Sequence, residues 1–469
     1  MKSIPDILRS AVQSMPPCTS ALVGLSGGLD SIVLLHGLQL LQQQGELPFT
    51  PRAIHINHGL HPNAAQWAQY CEAICQGWNV PFSTSELDLL TRLSAAGDKA
   101  ITGIEKAARD GRYTVFAAQL APGEALLLAH HRDDQMETML LRLLRGAGPK
   151  GLAGIPRTRA IDEGFLWRPL LEVDRTELLV YAKTHKLRWI DDESNADQQF
   201  DRNYLRHAVL PLLETRWPGY RESWSKSAAL QGEAAELLEA FAESDWQRLR
   251  VDAANELLIA GITELSLARR RNLLRHWLLT LNMPEPSWNT LQQLSETLVG
   301  GTNGDGNPGS DLNSNSVYEI SGYTFARYRD RLVVLRQLDS IDLSAVLAWD
   351  PVKQPIMELT GNGCLSMRPS KMSDTDTRMS IILQGPVQIK YRQGGEACSL
   401  RGRPRKSLKK ILQEQGIAPW CRERLPLLYQ GDALIYIPGI GAAESADTPN
   451  SATPCVIEWQ SPDWMPGAH

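Results

Sequence analysis

The stretch Ser26-Gly27-Gly28-Leu29-Asp30-Ser31 separates two apolar segments that differ in spacing. Residues 21–25 form a short apolar run, which is typical of a buried β-strand. Residues 32–44 carry apolar side chains every three or four positions, which predicts a helix. A strand, a glycine-rich turn and a helix suit phosphate, because N–H groups at the helix start point outward and glycine admits an anion close to the backbone. The sequence therefore predicts a nucleotide-binding loop; an ordinary strand-to-helix turn is the alternative.

All six residues of this loop are predicted nucleotide contacts: Ser26, Gly27, Gly28, Leu29, Asp30 and Ser31. Asp30 adds a carboxylate through which Mg²⁺ could join the protein to the nucleotide. The two serines add hydroxyl donors. The kinase-type pattern G-x-x-x-x-G-K-[ST] does not occur in the chain, so the loop belongs to a different class of phosphate-binding turn.

Composition indicates an ordinary globular protein. The chain has 469 residues, enough for roughly two to four domains, and no apolar run long enough to span a membrane. The first 17 residues mix charged and apolar side chains and do not resemble a secretory signal. The seven scattered cysteines predict a reducing cytoplasm, and the spacing of Cys71 and Cys75 favours packing on one helix face over metal binding.

The order of predicted elements sets the expected fold class, α/β. Strands and helices alternate over the first 215 residues, which predicts a doubly wound parallel sheet. A mainly helical central domain and a small α+β C-terminal domain should follow, and residues 300–316 should form a flexible loop. The expected domain ranges are 1–216, 217–340 and 341–469, the last with a recognisable core at about 385–440.

Polar segments follow three predicted strands, at 26–31, 55–58 and 130–134. Ligands of such sheets bind at the carboxyl ends of the strands, so these segments should share one rim. Asp30 and Asp134 are the predicted magnesium ligands, and His131 could contact phosphate or transfer a proton. The alternative is that Asp133 caps the next helix and that Glu137 lies in its first turn, which would explain one carboxylate of this segment.

Basic residues suggest where negatively charged ligands bind. Lys106, Arg109 and Arg112 lie on one predicted helix and could neutralise the phosphates, although a solvated helix face is the alternative. A second series surrounds the glycine-rich segment 146–152: Arg142, Arg145, Lys150, Arg157, Arg159 and Arg168. A third segment, 401–424, has a net charge of +6 from eight basic and two acidic residues, and it contains Trp420. Such clusters suit RNA, even though the whole chain has a net charge of −5.

The motifs, in their order along the chain, resemble those of the tRNA(Ile)-lysidine synthetase family, and the first loop resembles the PP-loop of N-type ATP pyrophosphatases. The motif ranges are 26–31, 55–60, 107–113, 129–138, 144–152, 168–171, 191–195, 202–203, 405–412 and 419–420. The resemblance is strong over the first 215 residues, good from about 385 to 440, and thin in between.

The resemblance implies an enzyme that uses ATP and Mg²⁺ to adenylate carbon-2 oxygen of the wobble cytosine in a CAU-anticodon tRNA(Ile). The ε-amine of free L-lysine then displaces AMP and forms lysidine, with Asp134 or His131 as candidate base. It implies catalytic roles for Asp30, Lys106, Arg109, Arg112, His131 and Asp134. The tRNA contacts that it implies are Arg145, Lys150, Arg202, Arg405, Lys406, Lys409 and Lys410. A homodimer is an expectation from the family alone.

Three other functions remain as alternatives at this point. A PP-loop tRNA thiolase would typically carry paired cysteines, often C-x-x-C, and the chain has no C-x-x-C. A ligase acting on a small metabolite would have little use for two basic clusters. A non-catalytic tRNA-binding protein would not need an intact loop together with Arg109, Arg112, His131 and Asp134.

Overall fold

The computed structural model describes residues 3–57, 59, 62–87, 101–251, 255–297, 316–320, 322–335, 340–370, 379–383, 385–444, 446 and 454–462. Within these ranges, only the backbone is described at 101–106, 194–195, 297, 316–318, 320 and 323. His58 and residues 300–315 of the predicted flexible loop lie outside the described residues. The chain divides into two compact units, Met1–Leu237 and Leu238–His469.

The first unit is built on a six-stranded sheet with the order β3-β2-β1-β4-β6-β5. Its strands are β1 (Ser20–Gly24), β2 (Thr50–Asn57), β3 (Phe82–Glu86), β4 (Ala125–Leu127), β5 (Thr158–Ile161) and β6 (Gly164–Trp167). Five strands run parallel, and β5 pairs antiparallel with β6 at one edge. This arrangement confirms the predicted doubly wound sheet. The β5–β6 hairpin was not predicted, because its two short strands lie in a basic, glycine-containing segment that reads as a loop.

Helices cover both faces of this sheet. They are α1 (Ile4–Gln13), α2 (Leu29–Gln43), α3 (Ala64–Gly77), α4 (Ile101–Gln119), α5 (Arg132–Leu144), α6 (Pro149–Leu152), α7 (Arg175–Thr184), α8 (Asp201–Tyr204) and α9 (Leu210–Arg216), with a 3₁₀ turn at Glu193–Ala196 and a π-helix at Leu205–Val209. The pleat of β1 sends Ala21 and Val23 into the core with α1, α2 and α7, and Leu22 into the core with Phe116 of α4. The sheet is therefore buried on both faces, as parallel sheets are.

Cys71 and Cys75 of α3 both lie fully buried in the core beside α2. Burial raises the pKa of each thiol to about 12, so both behave as small apolar side chains. All seven cysteines of the chain are free thiols. The predicted packing role of this pair is confirmed.

Helix α10 (Tyr220–Leu249) starts after the turn at 217–219 and continues past the division between the units. The second unit then begins with three helices and a four-stranded antiparallel sheet of order β7-β10-β9-β8. These elements are β7 (Glu256–Leu258), α11 (Ile259–Glu264), α12 (Leu267–Thr280), α13 (Trp288–Thr297), β8 (Ser316–Ile320), β9 (Tyr323–Tyr328) and β10 (Arg331–Leu335). Trp277 and Phe325 lie fully buried in their shared core.

The rest of the second unit is a small α+β assembly, as predicted. Its strands are β11 (Leu347–Trp349), β12 (Ile356–Glu358), β13 (Cys364–Pro369), β14 (Val387–Lys390), β15 (Ala397–Cys398), β16 (Lys406–Ser407), β17 (Leu427–Gln430), β18 (Ala433–Ile437), β19 (Gly441–Ala442) and β20 (Cys455–Gln460). Its helices are α14 (Leu408–Glu414) and α15 (Pro419–Arg422). The sheets have the orders β11-β14-β17-β18-β19, β12-β13-β20 and β15-β16. Among the described helices of the whole chain, none is long and apolar enough to cross a membrane.

Candidate active site

The predicted nucleotide-binding loop connects the end of β1 to the start of α2. Gly27 has φ = +85°, and a Cβ there would lie 2.6 Å from Ile190 Cδ1, so the turn requires glycine. The Ser31 hydroxyl, itself buried, accepts from the Ser26 N–H at 3.2 Å and donates to the Gly28 carbonyl at 3.0 Å. The loop is therefore held in shape by its own hydroxyls before any ligand binds.

Gly28 is the N-cap of α2 and has no side chain, so no side chain of its own covers the first N–H groups of this helix. Leu29 packs its side chain into the core, which leaves only its backbone to face a ligand. Asp30 lies in the first turn of α2. The helix start is therefore arranged as an anion-binding site with one carboxylate beside it.

A cleft of about 340 Å³ opens beside the loop at the carboxyl ends of β1 and β4. Its walls come from the loop, the strand ends, α4, α5 and α8: Gly24, Leu25, Ser26, Asp30, Ser31, Ile54, Ile56, Arg109, Arg112, Tyr113, Phe116, Leu128, Ala129, His130, Asp134 and Arg202. Six of the residues predicted from sequence for catalysis or ATP binding are among them: Ser26, Asp30, Ser31, Arg109, Arg112 and Asp134. Of the three polar segments expected at this rim, 26–31 and 130–134 line the cleft with polar side chains, whereas β2 contributes Ile54 and Ile56 and His55 is buried against the Leu25 carbonyl.

Arginines form the side of the cleft that belongs to α4. Arg109 lies 5.8 Å from the centre of the Tyr113 ring, and Arg112 faces the open cleft. The cleft walls desolvate Arg112 and, with repulsion from Arg109 and Arg202, lower its pKa. No ion pair with a described carboxylate forms at Arg109 or Arg112, so both guanidinium groups can serve a ligand. Lys106 lies on the same helix, but its side chain is outside the described residues.

Carboxylates form the opposite side, around His131 at the start of α5. The His131 ring is 1 % exposed, and its Nε2 lies 3.6 Å from Asp30 Oδ2 and 3.5 Å from Asp134 Oδ2. Its Nδ1 lies 3.7 Å from Asp133 Oδ2. Burial opposes the charged ring, but attraction by Asp134 and Asp30 outweighs it and raises the pKa of His131. The imidazolium form is therefore favoured between these carboxylates.

Glu137 is the buried centre of the same side. Its carboxylate is 0 % exposed, and it accepts from Arg202 Nε and from Arg206 Nε, each at 2.6 Å. Arg202 also donates to Asp134 Oδ1 at 2.9 Å. Burial would raise the pKa of Asp134, but His131 and Arg202 lower it to about 2. We call His131, Asp133, Asp134, Glu137, Arg202, Arg206 and Arg221 the α5 charge cluster.

Local structure explains how the two arginines reach one carboxylate. Arg202 lies on α8 and Arg206 lies four residues later, on the π-helix that follows. A spacing of four places both side chains on one side of the chain, and π-turns recur at functional sites. The sequence identified Arg202 by family resemblance as a tRNA contact, whereas the structure places it in the cleft wall. Neither Arg206 nor the burial of Glu137 was predicted.

The predicted capping role of Asp133 is wrong. Asp134, not Asp133, accepts the backbone N–H of His131 at the start of α5, at 2.9 Å. Asp133 instead accepts from the Arg175 N–H and from Arg221 Nε, both at 2.9 Å. Glu137 lies in the second turn of α5 rather than the first. It is buried, so it does not act as an exposed carboxylate that stabilises the helix dipole. Sequence spacing could not separate adjacent carboxylates that serve different partners.

The residues present fit a magnesium ion shared with a nucleotide. Asp30 Oδ1 is buried and has no hydrogen-bond partner among the described residues, so this acceptor is not used within the described protein. Asp134 offers a second ionised carboxylate across His131. Two carboxylates with phosphate and water oxygens complete the coordination that Mg²⁺ prefers.

A second cavity of about 390 Å³ lies beyond the α5 charge cluster within the first unit. Its lining residues are Asp133, Glu137, Arg175, Thr176, Leu179, Arg206, His207, Leu210, Pro211, Glu214 and Arg221. The α5 charge cluster contributes to both spaces, because Arg202 and Asp134 line the cleft while Asp133, Glu137 and Arg206 line the cavity. The cavity therefore carries both signs of charge around a partly apolar wall.

The other predicted tRNA contacts of the first unit lie outside the cleft lining. Arg145 is exposed at the end of α5, 3.7 Å from Asp201, and Lys150 is exposed on α6. Arg142 donates to the carbonyls of Gly151 and Gly154, at 2.8 and 2.6 Å, and thereby shapes the glycine-rich loop. Of the basic series around this loop, Arg145 and Lys150 remain available to a phosphate backbone.

The basic segment 401–424 divides into exposed and structural residues. Arg403, Arg405, Lys409 and Lys410 are exposed around α14, while Lys406 donates to Glu414 at 2.8 Å. Arg422 is buried and donates to the Ile417 carbonyl at 2.8 Å, so its predicted place in an RNA-facing cluster is wrong. Trp420 is half-buried against Tyr328, with ring centres 5.9 Å apart, which limits its use as a stacking platform.

Comparison with known proteins gives three family matches along the chain. Residues 6–213 match a PP-loop domain, 257–333 a TilS substrate binding domain, and 387–459 a TilS substrate C-terminal domain. The tRNA(Ile)-lysidine synthase of Coxiella burnetii is 35 % identical over 98 % of this chain and 97 % of its own. That of Serratia proteamaculans is 39 % identical over 94 % of this chain and 95 % of its own.

Two solved structures show weaker likeness. A U34-tRNA thiolase from Methanococcus maripaludis has 18 % identity and a TM-score of 0.39, covering 49 % of this chain and 78 % of its own. A TilS C-terminal domain has 16 % identity and a TM-score of 0.21, covering 25 % of this chain and 98 % of its own. At these scores neither structure adds to the sequence matches.

We predict that Glu137→Gln loosens α5. The substitution leaves two guanidinium groups without their buried carboxylate, which should cost roughly 3 kcal/mol of local stability. Hydrogen–deuterium exchange of the α5 amides should then accelerate about a hundredfold. Glu46→Gln, which breaks an exposed 2.7 Å pair with Arg9, is the matched control and should cost less than about 1 kcal/mol. Equal, small changes in both variants would contradict the prediction.

Proposed function

The chain belongs to the tRNA(Ile)-lysidine synthase family, and from this premise we propose how its residues carry out the reaction. The protein is an ATP-dependent ligase that forms lysidine on tRNA(Ile). One observation supports the proposed site most strongly: a single cleft joins the PP-loop, two carboxylates and two arginines that have no described carboxylate partner. An enzyme that cuts between the α- and β-phosphates of ATP needs these three components.

ATP would bind with its phosphates at the loop and its base against the apolar wall. The N-terminal N–H groups of α2 and the Ser26 hydroxyl face the phosphates, and Ile54, Ile56 and Phe116 provide the apolar surface. Asp30 and Asp134 would hold Mg²⁺, which when bound neutralises phosphate charge. The unpartnered Asp30 Oδ1 supports this assignment.

In the first step, the oxygen on carbon 2 of the wobble cytosine attacks the α-phosphorus. The bond from the α-phosphorus to the bridging oxygen breaks, and pyrophosphate leaves. Arg109 and Arg112 stabilise the charge that builds on the departing phosphates, because they meet it in a partly desolvated cleft. Lys106 precedes Arg109 by one helical turn and is proposed to assist in the same way.

In the second step, the ε-amine of lysine attacks carbon 2, AMP leaves, and the amine loses a proton. A base with a pKa near the working pH performs this transfer best. Asp134, with a pKa of about 2, is a poor acceptor. His131 is the other candidate base; it must give up its own proton before it can accept one from the amine, and the carboxylates of Asp30 and Asp134 flank its Nε2.

We place free lysine in the second cavity, where both signs of charge match an amino acid. Arg175 is exposed at this cavity and has no ion pair with a described carboxylate, so it can receive the α-carboxylate. Glu214 lines the same cavity, pairs with Arg221 through Oε2, and is proposed to receive the α-ammonium with its other oxygen. The lysine side chain would then extend along the wall formed by Leu179 and Leu210.

The exposed basic residues are proposed to bind the tRNA backbone. Arg145 and Lys150 lie in the first unit, and Arg405, Lys409 and Lys410 surround α14 in the second. Lys406 is proposed to contact the tRNA on the same surface. Because it is paired with Glu414, it should contribute less to tRNA binding than the other basic residues. Arg202 is better explained as a positioning residue of the cleft, since it already binds Asp134 and Glu137.

Two further assignments concern the compartment and the oligomeric state. Seven free thiols agree with a reducing compartment, and we propose that the protein works in the cytoplasm. A homodimer stays a prediction from the family. The thiolase alternative is disfavoured because the relatives at 35 to 39 % identity are lysidine synthases and the chain has no C-x-x-C pair.

Incubation of the pure protein with ATP, Mg²⁺, labelled L-lysine and an unmodified CAU-anticodon tRNA(Ile) transcript tests the proposed function. We expect lysine incorporation that depends on all four components. An elongator methionine tRNA, which shares the CAU anticodon, is the specificity control and should accept far less lysine. No incorporation, or equal incorporation into both tRNAs, would overturn the proposal.

We predict that Arg175→Ala raises the KM for lysine at least tenfold, because the α-carboxylate loses its charged partner. The rate at which ATP adenylates the tRNA should change less than twofold. Lys183→Ala, another exposed cation on α7, is the matched control and should alter neither quantity. An unchanged KM for lysine in Arg175→Ala would contradict the placement of lysine in the second cavity.

Charge reversal of Lys409 and Lys410 to Glu should weaken tRNA binding and flatten its dependence on salt. Loss of two phosphate contacts should reduce the slope of log Kd against log salt by roughly 1 to 2. Filter binding between about 50 and 200 mM salt measures this slope. The same reversal at Lys183 and Lys186, both exposed on the first unit, is the control. An identical slope in the Lys409 and Lys410 variant would indicate a solvated helix instead.

A further inference from the structure

Arg168 is a buried cation that forms no ion pair with a carboxylate in the described part of the chain. It follows β6, is 2 % exposed, and has no described carboxylate oxygen within 4 Å of its guanidinium. Its side-chain partners are all uncharged: the Pro156 carbonyl at 2.5 Å, His130 Nδ1 at 3.3 Å and the Tyr113 hydroxyl at 3.4 Å. A buried guanidinium normally has a carboxylate partner, so this arrangement requires a different explanation.

The partners of Arg168 fix where protons can lie. A guanidinium only donates, so His130 Nδ1 must accept and cannot carry a proton. The proton of the neutral ring is then on Nε2, the nitrogen on the other side of the ring. Tyr113 likewise accepts from Arg168 with its oxygen, so its own O–H remains to donate elsewhere.

Both partners line the cleft that holds the PP-loop. Burial, with the nearby cations Arg168, Arg202 and Arg112, lowers the pKa of His130 to about 3 against the attraction of Asp134. His130 therefore remains neutral at the working pH, in contrast to His131 beside it. Tyr113 keeps its place because Arg159 stacks on its ring, with 4.4 Å between the guanidinium carbon and the ring centre.

We propose that Arg168 is a positioning residue that fixes the Nε2–H tautomer of His130, so that His130 and Tyr113 both donate hydrogen bonds to a phosphate oxygen in the cleft. The inference rests on the proposed function for the identity of the bound anion. Neutral donors held in advance stabilise developing charge without competing with Arg109 and Arg112 for counter-ions. Neither the tautomer nor a role for Arg168 follows from the sequence motifs.

Nuclear magnetic resonance of the full chain, labelled with ¹⁵N in the histidine rings, tests the tautomer without any reaction. The His130 signals are assigned by their loss in His130→Gln. We expect an unprotonated Nδ1 and a protonated Nε2, and Arg168→Met should let the proton exchange between both nitrogens. Arg157→Met is the control. The Arg157 side chain pairs with Glu172 and not with His130, so this variant should reproduce the wild-type spectrum. A proton on Nδ1 in the wild type, or an unaltered spectrum in Arg168→Met, would overturn the proposal.

Kinetics provide the second measurement. Arg168→Met should lower kcat for tRNA adenylation at least tenfold with less than a threefold change in the KM for ATP, and Arg168→Lys should recover part of the loss. A rise in the KM for ATP alone would show that Arg168 only shapes the pocket.

If Arg168→Met does not fold, Tyr113→Phe serves as the second variant because it removes one of the two donors. It should lower kcat and leave the KM for ATP unchanged. An unchanged kcat would contradict the two-donor arrangement. If the protein shows the expected tautomer but has no ligase activity, the proposed function is refuted. The role of Arg168 in fixing the tautomer then still stands.

Discussion

The contact between one fully buried carboxylate and two guanidinium groups holds the catalytic half of this protein together. Glu137 accepts from Arg202 and Arg206, and Arg202 extends the pairing to Asp134. A buried ion pair is stable only when every charge keeps its partners, so the helix α5 and the turn that carries the arginines must form together. Members of the same contact line both spaces, since Arg202 lines the cleft and Glu137 and Arg206 line the second cavity.

The cleft divides its charges by side. Carboxylates of α2 and α5 lie around His131, where a metal ion is proposed, and arginines of α4 line the same cleft. Neutral donors come from a third position, where Arg168 holds His130 and Tyr113. Two adjacent histidines consequently have opposite properties: the carboxylates favour the charged form of His131, and burial keeps His130 neutral. Environment, not residue type, separates their roles.

Short-range patterns in the sequence predicted the parts that depend on neighbours in the chain. The loop at 26–31, the alternating strands and helices and the meeting of two polar segments at one rim follow from periodicity and from the geometry of parallel sheets. The parts that depend on distant partners were missed. Asp133 and Asp134 are adjacent, yet Arg221 selects one and Arg202 the other, across 88 and 68 residues of chain. Arg422 looked like an RNA contact because charge density carries no information about burial, and the structure packs it into the core.

Adenylation of the tRNA in the cleft, before lysine takes part, is the central step of the proposed mechanism. Wild-type protein, ATP labelled at the α-phosphate, Mg²⁺ and CAU-anticodon tRNA(Ile) can be mixed without lysine and quenched within one turnover. The account predicts label on the tRNA in an amount close to that of the enzyme, which a later addition of unlabelled lysine converts to free AMP and lysidine. Label that reaches the tRNA only when lysine is present, or label on the protein instead, would contradict the two-step order.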